Sequence, residues 1–379
     1  MKKLLIIFFP FLLIGFIFPD RNPGSNYVVH QDSLIQFDGP YVLYRNDQIF
    51  AKYIFENDGT RSARVDSFPL SQKDDLVIQV STDEPGKTFP VQLKKRLQNE
   101  KSVFKKSDRL LVMSDIEGNF AAFKKLLQAN GVMDENFNWT FGDGNLVLVG
   151  DFFDRGWQVT ELLWLIYSLE DKAKAAGGYV HFVLGNHEIM NMSNDFRYLH
   201  GKYLESAMLL NEKYQILYGD NSELGRWLRT KNIIEKIGDL LFIHGGISPE
   251  INRMDITVTE INDLARPYYA DTTYNYPDQK LDTIFGDMGP FWYRGYYMGT
   301  KRAGQSEVDS TLDKFNVRRI IHGHTIVRDT ISIWFNNRII NTDVHHAVGK
   351  SEALLIEGKK FYRVNNKGER FLLPDPVSR

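Results

Sequence analysis

The chain contains 379 residues, of which 43% are hydrophobic and 25% are charged. This length and composition allow one large folded domain, or one with a small companion, and exclude a disordered tail. Because 46 Lys and Arg residues are balanced by 48 Asp and Glu residues, there is no positive excess to hold a polyanion, which argues against a nucleic-acid-binding protein. The sequence contains no Cys, which excludes disulfides, a thiolate nucleophile and Cys-ligated metals. Any metal must therefore be bound by His, carboxylate or amide side chains.

The N-terminal segment, residues 1–19, has the pattern of a secretory signal. An apolar run from Leu4 to Phe18 follows two lysines and precedes a polar stretch, and this order predicts export, with the segment acting as a signal peptide or a membrane anchor. The run is shorter than the roughly 20 apolar residues of a spanning helix, but no Ala-x-Ala cleavage site is present, so cleavage and retention both stay open. We expect a periplasmic protein, or one anchored in the membrane and facing the periplasm, with membrane contact only if the segment is retained.

A β-rich accessory region and a connector are predicted over residues 27–106. Alternating apolar runs at 41–44 and 48–54 flank a short polar turn, a pattern typical of a β-hairpin. The Lys- and Arg-rich stretch Leu93–Ser107 is expected to be a solvated connector, as most charge runs are. The main domain is predicted to follow over residues 107–379.

Apolar strands alternate with helical segments from residue 109 onward. Helices are predicted over Phe120–Ala129 and Thr160–Ala176, and two longer insertions, 195–231 and 268–297, are expected to shape a substrate site. Continuous apolar strands joined by helices indicate an α/β fold whose sheets are covered on both faces. The predicted strands are Leu110–Met113, Asn145–Val149, Tyr179–Leu184, Leu240–Ile243, Arg319–Ile321 and Arg338–Ile340.

Polar residues that can bind a metal follow the ends of five of these strands. In α/β sheets, ligands bind at the carboxyl ends of the strands, so these residues are expected to converge. A single Asp after a strand is usually a helix cap, but here the pattern recurs from strand to strand. The residues concerned are Asp115, Glu117, Asp151, Asp154, Asn186, His187, His244 and His324.

The ligand set suits two divalent cations that share a bridging carboxylate. Two such ions can hold a hydroxide for in-line attack on phosphorus, so no protein nucleophile is needed. Charge on the phosphoryl oxygens calls for fixed cations, and Arg155 and Arg294 are the candidates because a guanidinium binds phosphate through two parallel hydrogen bonds. The predicted ligands are Asp115, Glu117 and Asp151 for the first ion, and Asp151, Asn186, His244 and His324 for the second.

Four short motifs follow predicted strands in order along the chain: Gly150–Gly156 (GDFFDRG), Gly185–Glu188 (GNHE), His244–Ser248 (HGGIS) and Gly323–Thr325 (GHT). They resemble the successive signatures of the calcineurin-like metallophosphoesterases. Within that superfamily the stretch 109–343 is most similar to the phosphoprotein phosphatase branch, and the segments Tyr218–Pro249 and Gly289–Arg294 resemble its bacterial, Shewanella-like members. The combination is specific, although each motif alone is weak.

The resemblance implies a four-layer α/β/β/α sandwich and a role for each site residue. His187 would be the general acid that protonates the leaving oxygen, oriented by Asp154. Asn186 would bind the second metal and contact the phosphate, which Arg155 and Arg294 would clamp. Two divalent ions are implied as cofactors, with manganese expected first and iron, magnesium or zinc as alternatives.

One position departs from the family pattern. The first family signature is Asp-x-His-Gly, whereas this chain has Glu117 in place of that His, two residues after Asp115. A first ion site made only of carboxylates favours harder ions such as Mn, Mg or Fe(II) over Zn, and the added negative charge would make a bound water less acidic. Because the other signature positions are kept, we expect an intact site with an altered metal preference.

Four further residues near the motifs have two interpretations each. His322 is expected to be a buried residue behind the site rather than a ligand. His345 and His346 are equally consistent with substrate contact and with plain solvent exposure. Glu188 is expected at a helix start or as support for the site, without binding a metal itself.

These features predict a dinuclear metal-dependent phosphatase that acts on phosphorylated protein or a small phosphoester. Two alternatives stay open. A dinucleoside polyphosphate hydrolase has a nearly identical site in the same family, with its substrate set by loops. A non-catalytic binding module would explain Glu117, but such a module has no need for His187, Asp154, Arg155 and Arg294, and all four are present.

Overall fold

The computed structural model describes residues 27–28, 35–300 and 302–374. The strands in these ranges are β1 (Tyr27–Val28), β2 (Ile35–Arg45), β3 (Gln48–Asn57), β4 (Thr60–Pro69), β5 (Leu76–Ser81), β6 (Thr88–Gln92), β7 (Val103–Phe104), β8 (Arg109–Met113), β9 (Asn145–Val149), β10 (Tyr179–Val183), β11 (Ile234–Ile237), β12 (Leu240–Ile243), β13 (Arg319–His322), β14 (Ser332–Trp334), β15 (Ile339–Asn341), β16 (Glu352–Glu357), β17 (Lys360–Asn365) and β18 (Arg370–Leu372). The α-helices are α1 (Phe120–Ala129), α2 (Val159–Ala175), α3 (Asn186–Met192), α4 (Gly201–Leu209), α5 (Tyr214–Leu217), α6 (Glu223–Leu228), α7 (Pro249–Arg253), α8 (Val258–Ala265), α9 (Gln279–Phe285) and α10 (Gln305–Phe315). Short 3₁₀ helices cover Leu70–Asp75, Arg266–Tyr268 and His346–Val348.

The predicted export segment, residues 1–19, lies outside the described residues. Among the residues that are described, no helix is long and apolar enough to cross a membrane.

Two six-stranded sheets form the centre of the main domain. The first has the order β10-β9-β8-β16-β17-β18, and the second has the order β14-β15-β13-β12-β11-β7. Strands β8, β9 and β10 are parallel, as are β12, β13 and β15. Each sheet therefore presents several strand carboxyl ends along one edge.

The two sheets pack face to face and are covered by helices on their outer faces. Leu110 and Val112 of β8 share a buried cluster with Phe242 of β12 in the opposite sheet. The intervening residues Leu111 and Met113 belong to a second cluster that includes apolar side chains of α1 and α2, because successive side chains of a strand point to opposite faces. On the second sheet, α8 packs against β11. This arrangement confirms the four-layer α/β/β/α sandwich.

The predicted elements of the main domain are confirmed closely. The six predicted strands and the two predicted helices are present, and their bounds differ from the prediction by at most one residue. Strands β11, β14 and β16–β18 were not predicted. Of these, β16 lies inside the first sheet, antiparallel to β8.

The N-terminal region contains the predicted hairpin. Strands β2 and β3 pair antiparallel up to Arg45 and Gln48 at the turn, and β4 completes a three-stranded sheet, the accessory sheet. This sheet packs on α2, where the indole nitrogen of Trp164 donates to the carbonyl oxygen of Pro40 at 2.7 Å. The N-terminal region is thus joined to the main domain by buried contacts.

The connector Leu93–Ser107 is exposed over much of its length, and five of its six Lys and Arg residues are exposed. Some of its residues nevertheless contact the main domain closely. Leu93 is 1% exposed, and Val103–Phe104 forms β7, which joins the second sheet by pairing with β11. Lys94 is also buried, with its ammonium 3.3 Å from the carboxylate of Glu170. A cationic side chain can be buried where a carboxylate receives it, and a charge run in the sequence does not reveal such a partner.

Candidate active site

The predicted site residues converge at the carboxyl ends of strands from both central sheets. All of them except Arg294 follow β8, β9 and β10 of the first sheet or β12 and β13 of the second. Seven of the ten line a cavity of about 850 Å³. The predicted residues that line it are Asp115, Glu117, Asp151, Arg155, His187, Arg294 and His324.

Asp151 lies at the centre of the possible metal ligands. The donor atoms of Asp151, His244 and His324 lie within 4.8 Å of one another, and so do those of Glu117, Asp151 and His187. One carboxylate oxygen of Asp151 is 3.0 Å from Nε2 of His244, while the other accepts a hydrogen bond from the backbone N of His187 at 2.9 Å. Asp151 therefore belongs to both groups, as a bridging ligand must.

The hydrogen bonds of two histidines leave one ring nitrogen of each available to a metal. Nδ1 of His244 lies 2.8 Å from the carbonyl oxygen of Val149, so the proton is assigned to Nδ1. Nε2, which lies 3.1 Å from Oδ1 of Asn186, is the nitrogen that would give up its proton to bind a metal. Nε2 of His324 lies 3.2 Å from the carbonyl oxygen of Trp292, which leaves its Nδ1 unprotonated. Metal-binding histidines commonly donate their other N–H to a carbonyl in this way.

The charges in the cavity depend strongly on one another. Burial alone would lower the pKa of His244, but the charge of Asp151 outweighs it and raises that pKa to about 9. Burial alone would raise the pKa of Asp151, but the positive charges of His187 and His244 hold it well below its usual range. Burial lowers the pKa of His324 well below that of a free imidazole. Asp151 thus stays ionised and His324 stays neutral, as metal ligands must be.

Asp115 lines the cavity but lies outside both donor groups. Its two carboxylate oxygens accept hydrogen bonds from the backbone N of His324 at 3.2 and 3.1 Å. Burial raises the pKa of Asp115 to about 6, against the opposing charge of His244. The structure therefore places Glu117 with Asp151 and His187, whereas we predicted one shell of Asp115, Glu117 and Asp151.

Glu117 also contacts a residue that we predicted to bind the phosphate. Its carboxylate forms an ion pair with Nη1 of Arg155. This partner was not foreseen from the sequence. The His of the family pattern has no negative charge to pair with a guanidinium, so the contact is a consequence of the substitution.

His187 and Asp154 form a buried pair beside the cavity. Nδ1 of His187 lies 2.6 Å from Oδ2 of Asp154, which is fully buried. Nδ2 of Asn191 donates to the other oxygen of Asp154 at 2.9 Å. Asn191 was missed in the sequence, although it lies one helical turn after His187 on α3.

Asp343 is a second residue that the sequence analysis did not select. It follows β15, lines the cavity and is 5% exposed. Burial and the charges of Asp115 and Asp151 raise the pKa of Asp343 well above its ordinary value. Its position just beyond a strand was the same signal that identified the other aspartates.

The remaining candidates separate into cavity residues and supporting residues. Arg294 is exposed, and its Nη1 donates to the carbonyl oxygen of His324 at 2.6 Å. His322 is buried behind the site, 2.7 Å from the hydroxyl of Tyr297, and burial lowers its pKa to about 3. These contacts agree with a supporting role for His322.

The two histidines after Asp343 both line the cavity but differ in exposure. His345 is exposed and lies 3.2 Å from Asp329. His346 is buried, with Nε2 3.1 Å from the carbonyl oxygen of Ser114. Burial lowers the pKa of His346 to about 4, so this ring is neutral near pH 7.

Much of the site backbone adopts a left-handed conformation. Such φ angles are rare outside glycine and persist only where surrounding contacts maintain them. The carboxylate of Glu188 supplies such contacts, since it accepts hydrogen bonds from the backbone N of Asp151, Phe152 and Gly185 at 2.9, 2.7 and 2.6 Å. The residues with positive φ are Asp115, Glu117, Asp151, Asp154, Arg155 and His324.

The donor set fits two divalent cations. Four carboxylates line the cavity, and three imidazoles contribute to the two donor groups around Asp151. His244 and Asp151 stabilise each other's charged forms. Bound divalent cations would balance the negative charge of these carboxylates in place of His244. Nitrogen and oxygen donors of this kind suit Mn, Fe and Zn.

Comparisons with known proteins agree with this geometry. The model of the calcineurin-like phosphoesterase family matches residues 108–328. Shewanella-like protein phosphatase 2 of Arabidopsis thaliana is 25% identical over 307 residues, covering 68% of this chain and 76% of that protein. An uncharacterised protein of Schizosaccharomyces pombe is 31% identical over 219 residues, and the match spans 65% of its length.

A solved structure extends the similarity over nearly the whole chain. The cold-active protein-tyrosine phosphatase of a psychrophilic Shewanella species superimposes with a TM-score of 0.79 at 35% identity. The match covers 89% of this chain and 99% of that one. With its fold and with the site residues of a phosphoric ester hydrolase, this chain belongs to the calcineurin-like phosphoesterase family.

Proposed function

We propose that this protein is a two-metal phosphatase that hydrolyses phosphate monoesters, with phosphorylated protein as the substrate class. The observation that carries the proposal is the buried pair of His187 and Asp154 beside Asp151, the carboxylate common to both donor groups. A proton donor and a metal-binding carboxylate at one cavity are the two parts that hydrolysis of a phosphate ester requires.

Asp151, Asn186, His244 and His324 would hold one divalent ion. Asp151 and Glu117 would hold the other, which Asp115 would join from the wall of the same cavity. When bound, the ions supply Lewis acidity toward the phosphoryl oxygens and an activated water. Manganese is the first expectation, because the ion held by Asp151, Glu117 and Asp115 would have only carboxylate ligands from the chain.

The residues of the chain then handle the phosphate and the proton. Arg155 and Arg294 border the cavity, where their guanidinium groups would hold the phosphoryl oxygens. His187 would protonate the leaving oxygen through Nε2, since its Nδ1 is engaged by Asp154. Burial alone would lower the pKa of His187, but the charges of Asp151 and Asp154 raise it, which keeps the imidazolium available as an acid near neutral pH.

The substrate class is supported by the names of the relatives. They include Shewanella-like protein phosphatases and a protein-tyrosine phosphatase. The cavity borders exposed side chains such as Trp157, so a residue carried on a larger chain would reach it from that side. A small phosphoester would enter the same cavity.

The experiment that tests the proposal is hydrolysis of p-nitrophenyl phosphate by metal-stripped protein reconstituted in turn with Mn, Mg, Fe(II) and Zn. We expect turnover to return with metal and to be abolished in Asp151→Asn. A panel of phosphopeptides and dinucleoside tetraphosphate then ranks the substrates. Turnover only with the dinucleotide would show that the protein is a dinucleoside polyphosphate hydrolase and not a phosphomonoesterase. No turnover with any metal would favour the non-catalytic binding module.

We also propose that the protein is exported. The proposal rests on the charge and apolar pattern of residues 1–19.

A further inference from the structure

The loop that carries Arg155 has an unusual backbone. Asp154 and Arg155 have φ angles of 68° and 54°, in the left-handed region that residues with a side chain rarely adopt. Two such residues in succession persist only where neighbouring contacts hold them. The backbone position from which Arg155 extends its guanidinium therefore depends on what holds residues 154–159.

Two tyrosines near the start of α4 hold this loop by its backbone. The N of Arg155 donates to the carbonyl oxygen of Tyr198 at 3.2 Å. The hydroxyl of Tyr203 donates to the carbonyl oxygen of Gly156 at 3.0 Å and accepts from the N of Val159 at 2.9 Å. The loop is thus held from the helical insertion and not by its own sheet alone.

Lys202 makes another contact with the loop and links it to the accessory sheet. Its ammonium donates to the carbonyl oxygen of Trp157 and lies 3.8 Å from Oδ1 of Asp38 and 3.9 Å from Oε1 of Glu161. Lys202 is 4% exposed, and the two acidic residues are at most 2% exposed. Because these charges are buried, moving one would leave the others without compensation.

Asp38, which lies in β2, is held firmly in turn. Its carboxylate accepts hydrogen bonds from the N of Gly39 at 2.9 Å, the hydroxyl of Tyr41 at 2.8 Å and the hydroxyl of Thr160 at 3.1 Å. Two of these donors belong to the accessory sheet and the third to α2. The position of Lys202 is therefore coupled to the accessory sheet.

We propose that the accessory sheet is a positioning element of the active site, which acts through Asp38 and Lys202 to hold the loop that presents Arg155 to the phosphate. Lys202 is then a positioning residue, because it contacts the loop backbone and not the cavity. The inference rests on the proposed function, since it assumes that Arg155 binds phosphate.

The simpler explanation is that Lys202 only joins the accessory sheet to the main domain. Lys52 of β3 provides a matched control for it. Lys52 is 8% exposed, and its ammonium pairs with Glu212 and lies 3.4 Å from the carbonyl oxygen of Leu210. It makes the same kind of contact between the accessory sheet and the insertion, but at the end away from the Arg155 loop.

The test measures binding of inorganic phosphate to the manganese-loaded, full-length protein by isothermal titration calorimetry. We expect Lys202→Met to weaken phosphate binding about threefold to thirtyfold, which lies within the range of coupling between residues that share contacts. Lys202→Arg should recover most of the affinity. In an Arg155→Ala background, Lys202→Met should change the Kd less than about twofold. Lys52→Met should lower the melting temperature and leave the phosphate affinity unchanged.

Two results would overturn the proposal. One is an equal loss of phosphate affinity from Lys202→Met with and without Arg155, and the other is an unchanged affinity in a folded Lys202→Met protein. If Lys202→Met does not fold, Asp38→Asn is measured instead with the same expectations. Failure of the wild-type protein to bind phosphate, or no effect of Arg155→Ala, would instead contradict the proposed function.

Discussion

The ring of His187 is held by Asp154 at 2.6 Å through Nδ1, which directs its other nitrogen toward Asp151, with Nε2 3.7 Å from that carboxylate. Nε2, the nitrogen that can give up a proton, therefore faces the cavity. Asp154 is itself held by Asn191, so the orientation of the ring rests on buried contacts.

Asp154→Asn is expected to lower kcat about 100-fold or more, because general acid catalysis contributes about 10²–10⁴-fold. The loss should be smaller for p-nitrophenyl phosphate than for phenyl phosphate, since p-nitrophenolate leaves with little need for a proton. Steady-state kinetics with both substrates, together with metal content, measures this. Equal losses on the two substrates would contradict the acid role of His187.

Glu117→His is expected to shift metal selection from manganese toward zinc. Imidazole is a better ligand for zinc than a carboxylate is, and the substitution also removes the partner of Arg155. The measurement is the metal content of protein dialysed against equal concentrations of both ions. Glu117→Gln is the control for the loss of negative charge. The same ratio of Mn to Zn in Glu117→His as in the wild type would show that Glu117 does not bind the metal.

Glu188→Gln is expected to weaken metal binding about 10–100-fold, the usual effect of losing a group that orients a ligand. The carboxylate of Glu188 accepts hydrogen bonds from backbone N–H groups, including that of Asp151. The amide of Gln would turn its own N–H group toward one of these donors, so that hydrogen bond would be lost. Metal titration of the stripped protein measures the effect. The prediction fails if the variant unfolds at lower temperature but binds metal as the wild type does.

Glu161 is expected to make stability depend on pH. Burial raises its pKa to about 7, above the value of about 4.3 in an unfolded chain. The folded state thus binds the proton more tightly, and this contribution to stability is present below about pH 4.3 and is lost as the pH rises through 7. Between pH 5 and pH 8 we expect the wild type to lose about 1–3 kcal/mol relative to Glu161→Gln. Urea unfolding at both pH values measures this, and parallel profiles would contradict it.

Residues 1–19 are expected to direct export. Deletion of this segment should keep the protein in the cytoplasm, and mass spectrometry of the exported form would show whether the segment is removed. Recovery of the intact chain in the cytoplasm of cells that export a control protein would refute the expectation.

The local elements of the main domain could be predicted because hydrophobic periodicity is a local signal. β9, β12 and α1 have the predicted bounds, since their apolar residues repeat with the period of the element that they form. The polar residues just after the strands were recognised because the ends of those strands had been predicted. Asp343 was missed although it follows β15 in the same manner.

Sequence alone thus determined six strands and two helices of the main domain and most of the residues that meet at the carboxyl ends of those strands. Only the tertiary structure decided that Glu117 contacts Arg155, that Asp115 lies outside both donor groups, and that Lys202 links Asp38 to the loop after Arg155. These relationships depend on left-handed backbone angles and on contacts between residues far apart in the chain. Neither leaves a periodic signal in the sequence, because both arise from packing of the whole fold.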